Sequence, residues 1–140
     1  MGKILCATRG GEASYRTQDA AIALAKELGY TLVFLYVVDL HFLDKVSAPL
    51  VVDVEGELGK MGEFLLLMAK ERAAEHGIAA ETMWRKGRVR EVLKQLAQKE
   101  GISLLVLGRP AGAESAFELA GLRALSAEIE AETGVETRII

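Results

Sequence analysis

Glycine and arginine residues cluster in a short segment with the composition of an anion-binding loop. The segment Gly108-Arg109-Pro110-Ala111-Gly112 follows the apolar run 102–107 directly. Glycine lets a backbone approach a ligand closely, and free N–H groups at the start of a following helix attract anions. The pattern predicts a phosphate- or carboxylate-binding loop. The alternative is a structural turn, because glycine is the usual turn residue.

Basic residues stand at the ends of three apolar runs and near a later glycine: Arg9, Arg85, Lys86, Arg109 and Arg123. If the runs are strands of one parallel sheet, their ends share a rim, and Arg9 and Arg109 face one cleft. Two guanidinium groups there suit a small anionic ligand through bidentate hydrogen bonds. The alternative is a set of solvated rim charges paired with Glu114 and Glu118.

Catalytic and metal-binding patterns are absent from the sequence. The histidines are His41 and His76, and no cysteine or histidine has metal-ligand spacing. Cys6 lies inside an apolar run, which predicts a buried and inert thiol. The loop 9–14 (RGGEAS) shares only two glycines and Ser14 with the Ser-Gly-Gly-x-Asp-Ser loop of ATP pyrophosphatases. A protein without enzyme activity is expected.

Hydrophobic periodicity supplies the elements that must position these residues. Strands are predicted at 4–7, 31–38, 78–85, 102–107 and 135–140, and helices at 12–28, from Met61 to about 76, at 89–97 and around 122–133. Residues 39–59 are expected to form a connection with a short helix at most. Met61, Phe64 and Met68 fall at helical spacing and are expected in the core. Alternating strands and helices build a parallel sheet covered on both faces, which binds ligands beyond the strand C-termini.

Four segments are typical of one protein family. They are residues 4–14 (ILCATRGGEAS), residues 34–39 (FLYVVD), Gly87 with its following helix, and residues 104–108 (LLVLG). With the element order and lengths, they give the chain a resemblance to the universal stress protein family over nearly its full length. The resemblance implies one domain over 1–140 with a three-layer α/β/α, Rossmann-like fold of the adenine nucleotide alpha hydrolase type. Its five-stranded, mostly parallel sheet has the strand order 3-2-1-4-5.

The resemblance also identifies the binding residues. ATP-binding members carry Gly-x2-Gly-x9-Gly-Ser/Thr after strand four, and the aligned residues here are Gly108, Ala111, Gly121 and Leu122. Arg9 stands where such members carry an aspartate near the adenine. A missing second glycine, a missing hydroxyl and a reversed charge argue against ATP binding in the family's manner. The candidates for nucleotide or anion binding are Ala7, Thr8, Arg9, Val37, Gly108, Arg109, Ala111, Gly112, Gly121, Leu122 and Arg123.

The composition of the chain limits the classes of function and partner that are expected. The net charge is -3 and acidic and basic residues are interspersed, so the sequence lacks the basic patch that is typical of nucleic-acid-binding proteins. No apolar run reaches the ~20 residues of a membrane span. No signal peptide precedes the first strand, so a cytoplasmic protein is expected. The resemblance implies a homodimer through residues 135–140. The expected function is a stress-response or regulatory protein with an altered nucleotide cleft; the alternatives are an ATP or other nucleotide sensor and a ligand-free dimeric interaction module.

Overall fold

Strands and helices alternate along the chain. A computed structural model describes residues 2–9, 12–38, 48–99, 101–108 and 115–140. The elements are β1 (Lys3–Ala7), α1 (Glu12–Leu28), β2 (Thr31–Val38), α2 (Ala48–Glu75), β3 (Glu81–Lys86), α3 (Val89–Lys99), β4 (Leu104–Leu107), α4 (Ser115–Thr133) and β5 (Glu136–Ile139).

The five strands form one parallel sheet in the order β3-β2-β1-β4-β5. The central strand β1 pairs with β2 on one side and β4 on the other, so that Cys6 lies between Phe34 and Val106. The predicted architecture and strand order are confirmed. Because β1 and β4 are neighbours, the loops that follow them open at the same place on the sheet edge.

Two helical layers bury the sheet. Helices α1 and α2 cover one face, where Ala21, Ile22 and Leu66 pack on Ile4 and Phe34. Helices α3 and α4 cover the other, where Leu93 and Ile129 pack with Leu5 and Leu105. The central strands β1, β2 and β4 are apolar on both faces because helices cover both sides of the sheet there, whereas the edge strands β3 and β5 are partly exposed.

Helix α2 differs from the sequence prediction. We expected residues 39–59 to hold a short helix at most, yet α2 spans 28 residues from Ala48. Pro49 falls in the first turn of α2, where its missing N–H removes no intrahelical hydrogen bond. Glycines lower helix propensity by only about 1 kcal/mol each, which packing against the sheet can offset.

The face that α2 turns to the sheet consists mainly of small residues. Its buried positions are Gly59, Gly62, Leu66, Ala69 and Ala73. A Cβ on Gly62 would lie 2.6 Å from Cδ1 of Tyr36, so only glycine allows this approach to β2. The apolar residues expected in the core therefore face outward: Met61 is 52% exposed, Phe64 63% and Met68 38%. That part of the prediction is wrong, because periodicity locates a face of a helix without saying which face is buried.

Candidate functional site

A cleft of about 440 Å³ opens at the C-terminal ends of β1, β2 and β4. The residues that line it are Ala7, Thr8, Arg9, Leu35, Tyr36, Val37, Val38, Leu58, Val89, Leu93, Leu107, Gly108 and Leu122. Three helices close its sides, since Leu58 comes from α2, Val89 and Leu93 from α3, and Leu122 from α4. This is the position at which parallel α/β sheets bind ligands.

Hydrogen bonds hold the end of β1 at the centre of the cleft. The Thr8 N–H donates to the Leu35 carbonyl oxygen at 2.9 Å, which extends the pairing with β2 beyond Ala7. The Arg9 N–H donates to Oγ of Ser14 at 3.3 Å. The buried side chain of Gln18 donates from Nε2 to Oγ1 of Thr8 at 2.9 Å. Helix α1 thereby fixes the backbone from which the Arg9 side chain leaves.

The cleft walls are mainly apolar. Among the lining residues the structure describes, Arg9 is the one that carries a charge, and its side chain is exposed. Of the other rim cations, Arg85 donates from Nη1 to the carbonyl oxygen of its neighbour Trp84 at 3.0 Å. The described part of the cleft therefore combines an apolar floor with one guanidinium group, which suits a planar aromatic ligand with a small anionic group.

Two glycines match the nucleotide signature, and their surroundings differ. A Cβ on Gly108 would lie 2.6 Å from Oγ1 of Thr17, so packing between β4 and α1 requires glycine there. Gly121 is exposed on α4, and a Cβ added to it would meet nothing within 4 Å. Packing thus accounts for Gly108, whereas none of the described residues packs where a side chain at Gly121 would begin.

The structure brings together six of the eleven predicted site residues. Ala7, Thr8, Arg9, Val37, Gly108 and Leu122 line the cleft. Gly121 and Arg123 are exposed on α4 and do not line it. The predicted residues Arg109, Ala111 and Gly112, with the proposed ion-pair partner Glu114 and the side chain of Glu118, lie outside the described residues.

Sequence reasoning missed the helical walls of the cleft. Leu58 could not be found because the start of α2 was not predicted. Val89 and Leu93 were recognised as apolar positions of a helix, and nothing in their pattern indicates a ligand. Leu35, Tyr36, Val38 and Leu107 end buried strands, a position that would have indicated them.

Other predicted features outside the cleft can be located. Cys6 is fully buried, and this burial raises the pKa of its thiol to about 12, in agreement with an inert cysteine. Within the described segments no cluster of three or more metal-ligating side chains occurs. In the same segments no helix is both long and apolar enough to cross a membrane.

The outer edge of β5 carries a hydrogen bond to a side chain. Ile140 donates its N–H inward to the Leu107 carbonyl oxygen at 2.9 Å, and alternate residues of a strand turn their backbone groups to opposite sides. The Thr137 N–H therefore points away from β4, and it donates to Oε1 of Glu130 on α4 at 2.9 Å. A strand added to this edge has to displace the Glu130 carboxylate.

Known proteins of one family resemble this chain in sequence and in fold. The model of the universal stress protein family matches residues 1–125. Universal stress protein YxiE of Bacillus subtilis (strain 168) is 33% identical over 124 residues, covering 77% of this chain and 78% of that protein. Two solved structures share the fold. A universal stress protein in complex with cAMP has a TM-score of 0.73 and 22% sequence identity, with 99% of this chain and 96% of that chain covered. A universal stress protein family protein from Arabidopsis thaliana with AMP bound has a TM-score of 0.65 and 16% identity, with 100% of this chain and 91% of that chain covered. The chain belongs to the universal stress protein family.

Proposed function

We propose that this chain is a non-enzymatic, cytoplasmic regulatory protein that binds a small nucleotide-type ligand in the cleft at the ends of β1, β2 and β4. The cleft of about 440 Å³ carries the proposal, since it gathers Ala7, Thr8, Arg9 and Val37 with the first signature glycine, Gly108.

Arg9, the charged residue in the described part of the cleft, favours a ligand with fewer negative charges than a triphosphate. Arg9 offers a single guanidinium, and apolar Leu122 lines the α4 side, where ATP-binding members have a hydroxyl. A triphosphate brings several charges that an apolar wall cannot solvate. The relatives solved with cAMP and AMP bound support a ligand of this size. We expect a cyclic nucleotide or nucleoside monophosphate to bind more tightly than ATP.

Isothermal titration with cAMP, AMP, adenosine and ATP tests the proposal. Arg9→Gln is expected to weaken the anionic ligands about tenfold or more, the scale of one lost hydrogen bond to a charged group, and to leave adenosine unchanged. Arg16→Gln, an exposed arginine on α1, is the matched control. No heat from any of the four compounds would refute nucleotide binding, and ATP binding as tightly as cAMP would refute the charge argument.

A second candidate function is a ligand-free interaction module that dimerises through residues 135–140. The edge position of β5 favours it, since an unpaired strand edge is a template for another strand. The Glu130 bond to Thr137 opposes the pairing, so dimerisation through β5 includes release of that carboxylate. Deleting residues 136–140 should leave monomeric or insoluble protein, and a stable dimer after the deletion, measured by light scattering, would contradict this interface. Neither candidate involves nucleic acid or a membrane.

A further inference from the structure

The edge of the sheet formed by β3 presents backbone groups without a strand partner. The Gly87 N–H donates inward to the Val38 carbonyl oxygen of β2 at 3.1 Å, and alternate residues of a strand turn their backbone groups to opposite sides. The N–H and C=O groups of Thr82 and Trp84 therefore point away from β2. In the part of the chain that the structure describes, no other strand lies beyond β3 to bond them.

A side chain bonds one of these outward groups. Arg85 donates from Nη1 to the Trp84 carbonyl oxygen at 3.0 Å. A guanidinium bonds a carboxylate more strongly than a neutral carbonyl oxygen. A strand that brings a carboxylate to Arg85 therefore releases the Trp84 oxygen for pairing between main chains.

The side chains of β3 alternate between two faces of the sheet. Trp84 packs in the cluster on the α1–α2 face, and Met83 packs in the cluster on the α3–α4 face. Glu81 and Arg85 share the face of Met83, because side chains two residues apart in a strand lie on the same side. Both are exposed, and neither makes an ion pair with a described residue.

The order acid, methionine, base on this face is complementary to itself when the strand is reversed. Glu81 and Arg85 lie two residues before and two residues after Met83. In an antiparallel pair of identical β3 strands with Met83 at the two-fold axis, Glu81 of each copy stands opposite Arg85 of the other. The same register sets Thr82 opposite Trp84, so outward backbone groups meet and each such pair exchanges two hydrogen bonds. Opposite charges, and an aromatic with a β-branched residue, are favourable cross-strand pairs.

Other registers lack this complementarity. A slide of one residue would turn the side chains of one copy to the wrong face, so the second copy moves by steps of two residues. One step in either direction sets Arg85 or Glu81 opposite Met83, which leaves the charges without partners. A second step sets Arg85 opposite itself or Glu81 opposite itself, which is unfavourable.

Helix α2 leaves room for the pairing. Its Gly62 lies against Tyr36 of β2 and its Gly59 against Trp84 of β3, so the helix runs over these two strands rather than beyond the edge. With paired strands about 4.8 Å apart, the two copies of α2 would stand about 10 Å from each other, close to the spacing of packed helices.

We propose that two copies of this chain associate by antiparallel pairing of β3, with Met83 at the two-fold axis and Glu81–Arg85 ion pairs on both sides of it. A second copy fits this edge because charges on an edge strand discourage any strand that leaves them unpartnered. The interface is independent of β5, which is the opposite edge of the sheet, and of the cleft, which no residue of β3 lines. One strand pair is a small interface, so weak association is expected.

Charge exchange tests the pairing. Glu81→Arg and Arg85→Glu each set like charges opposite one another in a pair of identical copies. Sedimentation velocity should show that each variant alone loses one association step of the wild-type protein, with a dissociation constant raised about tenfold or more. An equimolar mixture of the two variants should recover that step, and so should the double variant Glu81→Arg/Arg85→Glu, because the ion pairs form again with reversed polarity.

Two controls make the same changes of charge elsewhere. Glu27→Arg and Lys26→Glu lie on the exposed surface of α1 and should leave association unchanged. A wild-type protein that is monomeric at about 100 µM, a concentration suited to weak complexes, would overturn the proposal. Association that Glu81→Arg leaves intact, or a loss that the mixture does not recover, would overturn it as well.

A disulfide gives a second measurement. In the proposed register Met83 faces its own copy in a non-hydrogen-bonded pair, whose Cα atoms stand about 4.5 Å apart, within the range that a disulfide spans. Met83→Cys should form a covalent dimer when diamide oxidises the two thiols. Met61→Cys, a more exposed methionine on α2, is the matched control, and the fully buried Cys6 should stay silent. Equal cross-linking of the two variants would count against the β3 pair.

Discussion

The contact of Gly62 with Tyr36 makes a testable claim about how α2 is held on the sheet. A methyl group at Gly62 would lie 2.6 Å from Cδ1 and 3.0 Å from Cε1 of the ring, whereas ordinary contacts begin at 3.4 Å. The ring cannot withdraw freely, since Tyr36 packs against the core on the α1–α2 face. In Gly62→Ala, the helix therefore has to move away from β2.

The expected change in folding stability of Gly62→Ala follows from two opposing effects. Overpacking of this kind costs about 1–3 kcal/mol of folding free energy. Replacing a helical glycine by alanine returns about 1 kcal/mol. Gly56→Ala on the same helix is the matched control, because a Cβ there meets nothing within 4 Å and only the favourable effect remains. We expect Gly56→Ala to stabilise the protein and Gly62→Ala to destabilise it, with about 1–3 kcal/mol between the two variants.

Urea unfolding of the two variants measures this difference directly. The slopes should be equal to wild type and the midpoints should move in opposite directions. Tyr36 also lines the cleft, so Gly62→Ala should weaken ligand binding while Gly56→Ala leaves it unchanged. Equal stabilisation by both alanines would refute the close approach of α2 to the sheet.

Three further predictions concern the cleft, the sheet edge and the core. The triple variant Arg9→Asp, Ala111→Gly, Leu122→Ser rebuilds the family's ATP signature and should gain ATP binding by calorimetry; no gain would mean that the scaffold itself has changed. Glu130→Ala frees the outer edge of β5 and should raise association through that edge about three- to tenfold by sedimentation, the worth of one hydrogen bond. Burial raises the pKa of the Cys6 thiol to about 12. Because the unfolded thiol ionises first, the free energy of unfolding should fall as pH rises from about 8.5 towards 12, and Cys6→Ala should flatten this pH dependence in urea titrations.

The sheet could be predicted from the sequence because its signals are local and strong. Runs such as Thr31–Val38 are apolar on both faces, which few structures other than a covered parallel strand explain. The ends of those runs also gave five of the six predicted cleft residues, since parallel strands place all their C-termini on one edge of the sheet, and the sixth, Leu122 on α4, came from the family signature. Residues of this kind need no knowledge of distant packing.

Helix α2 could not be predicted because its orientation depends on a distant partner. Apart from Leu66, its described inward face is made of glycines and alanines, which are breakers or neutral positions in a sequence prediction. Its outward face carries large apolar residues of the kind that normally mark a core. The aromatic rings of Tyr36 on β2 and Trp84 on β3, which lie against Gly62 and Gly59, explain the inversion. The contribution of Leu58 to the cleft was lost with the helix that carries it.

The packing of Gly108 against Thr17 limits what can be inferred from a glycine at this position of the nucleotide signature. This chain needs glycine at this position whether or not it binds a nucleotide, because α1 approaches β4 too closely for any side chain. Gly121 is under no such demand, and replacing it would cost the fold nothing while gaining helix propensity. Glycine at position 108 is therefore required by packing whether or not a ligand binds, whereas glycine at position 121 meets no such requirement from the described residues.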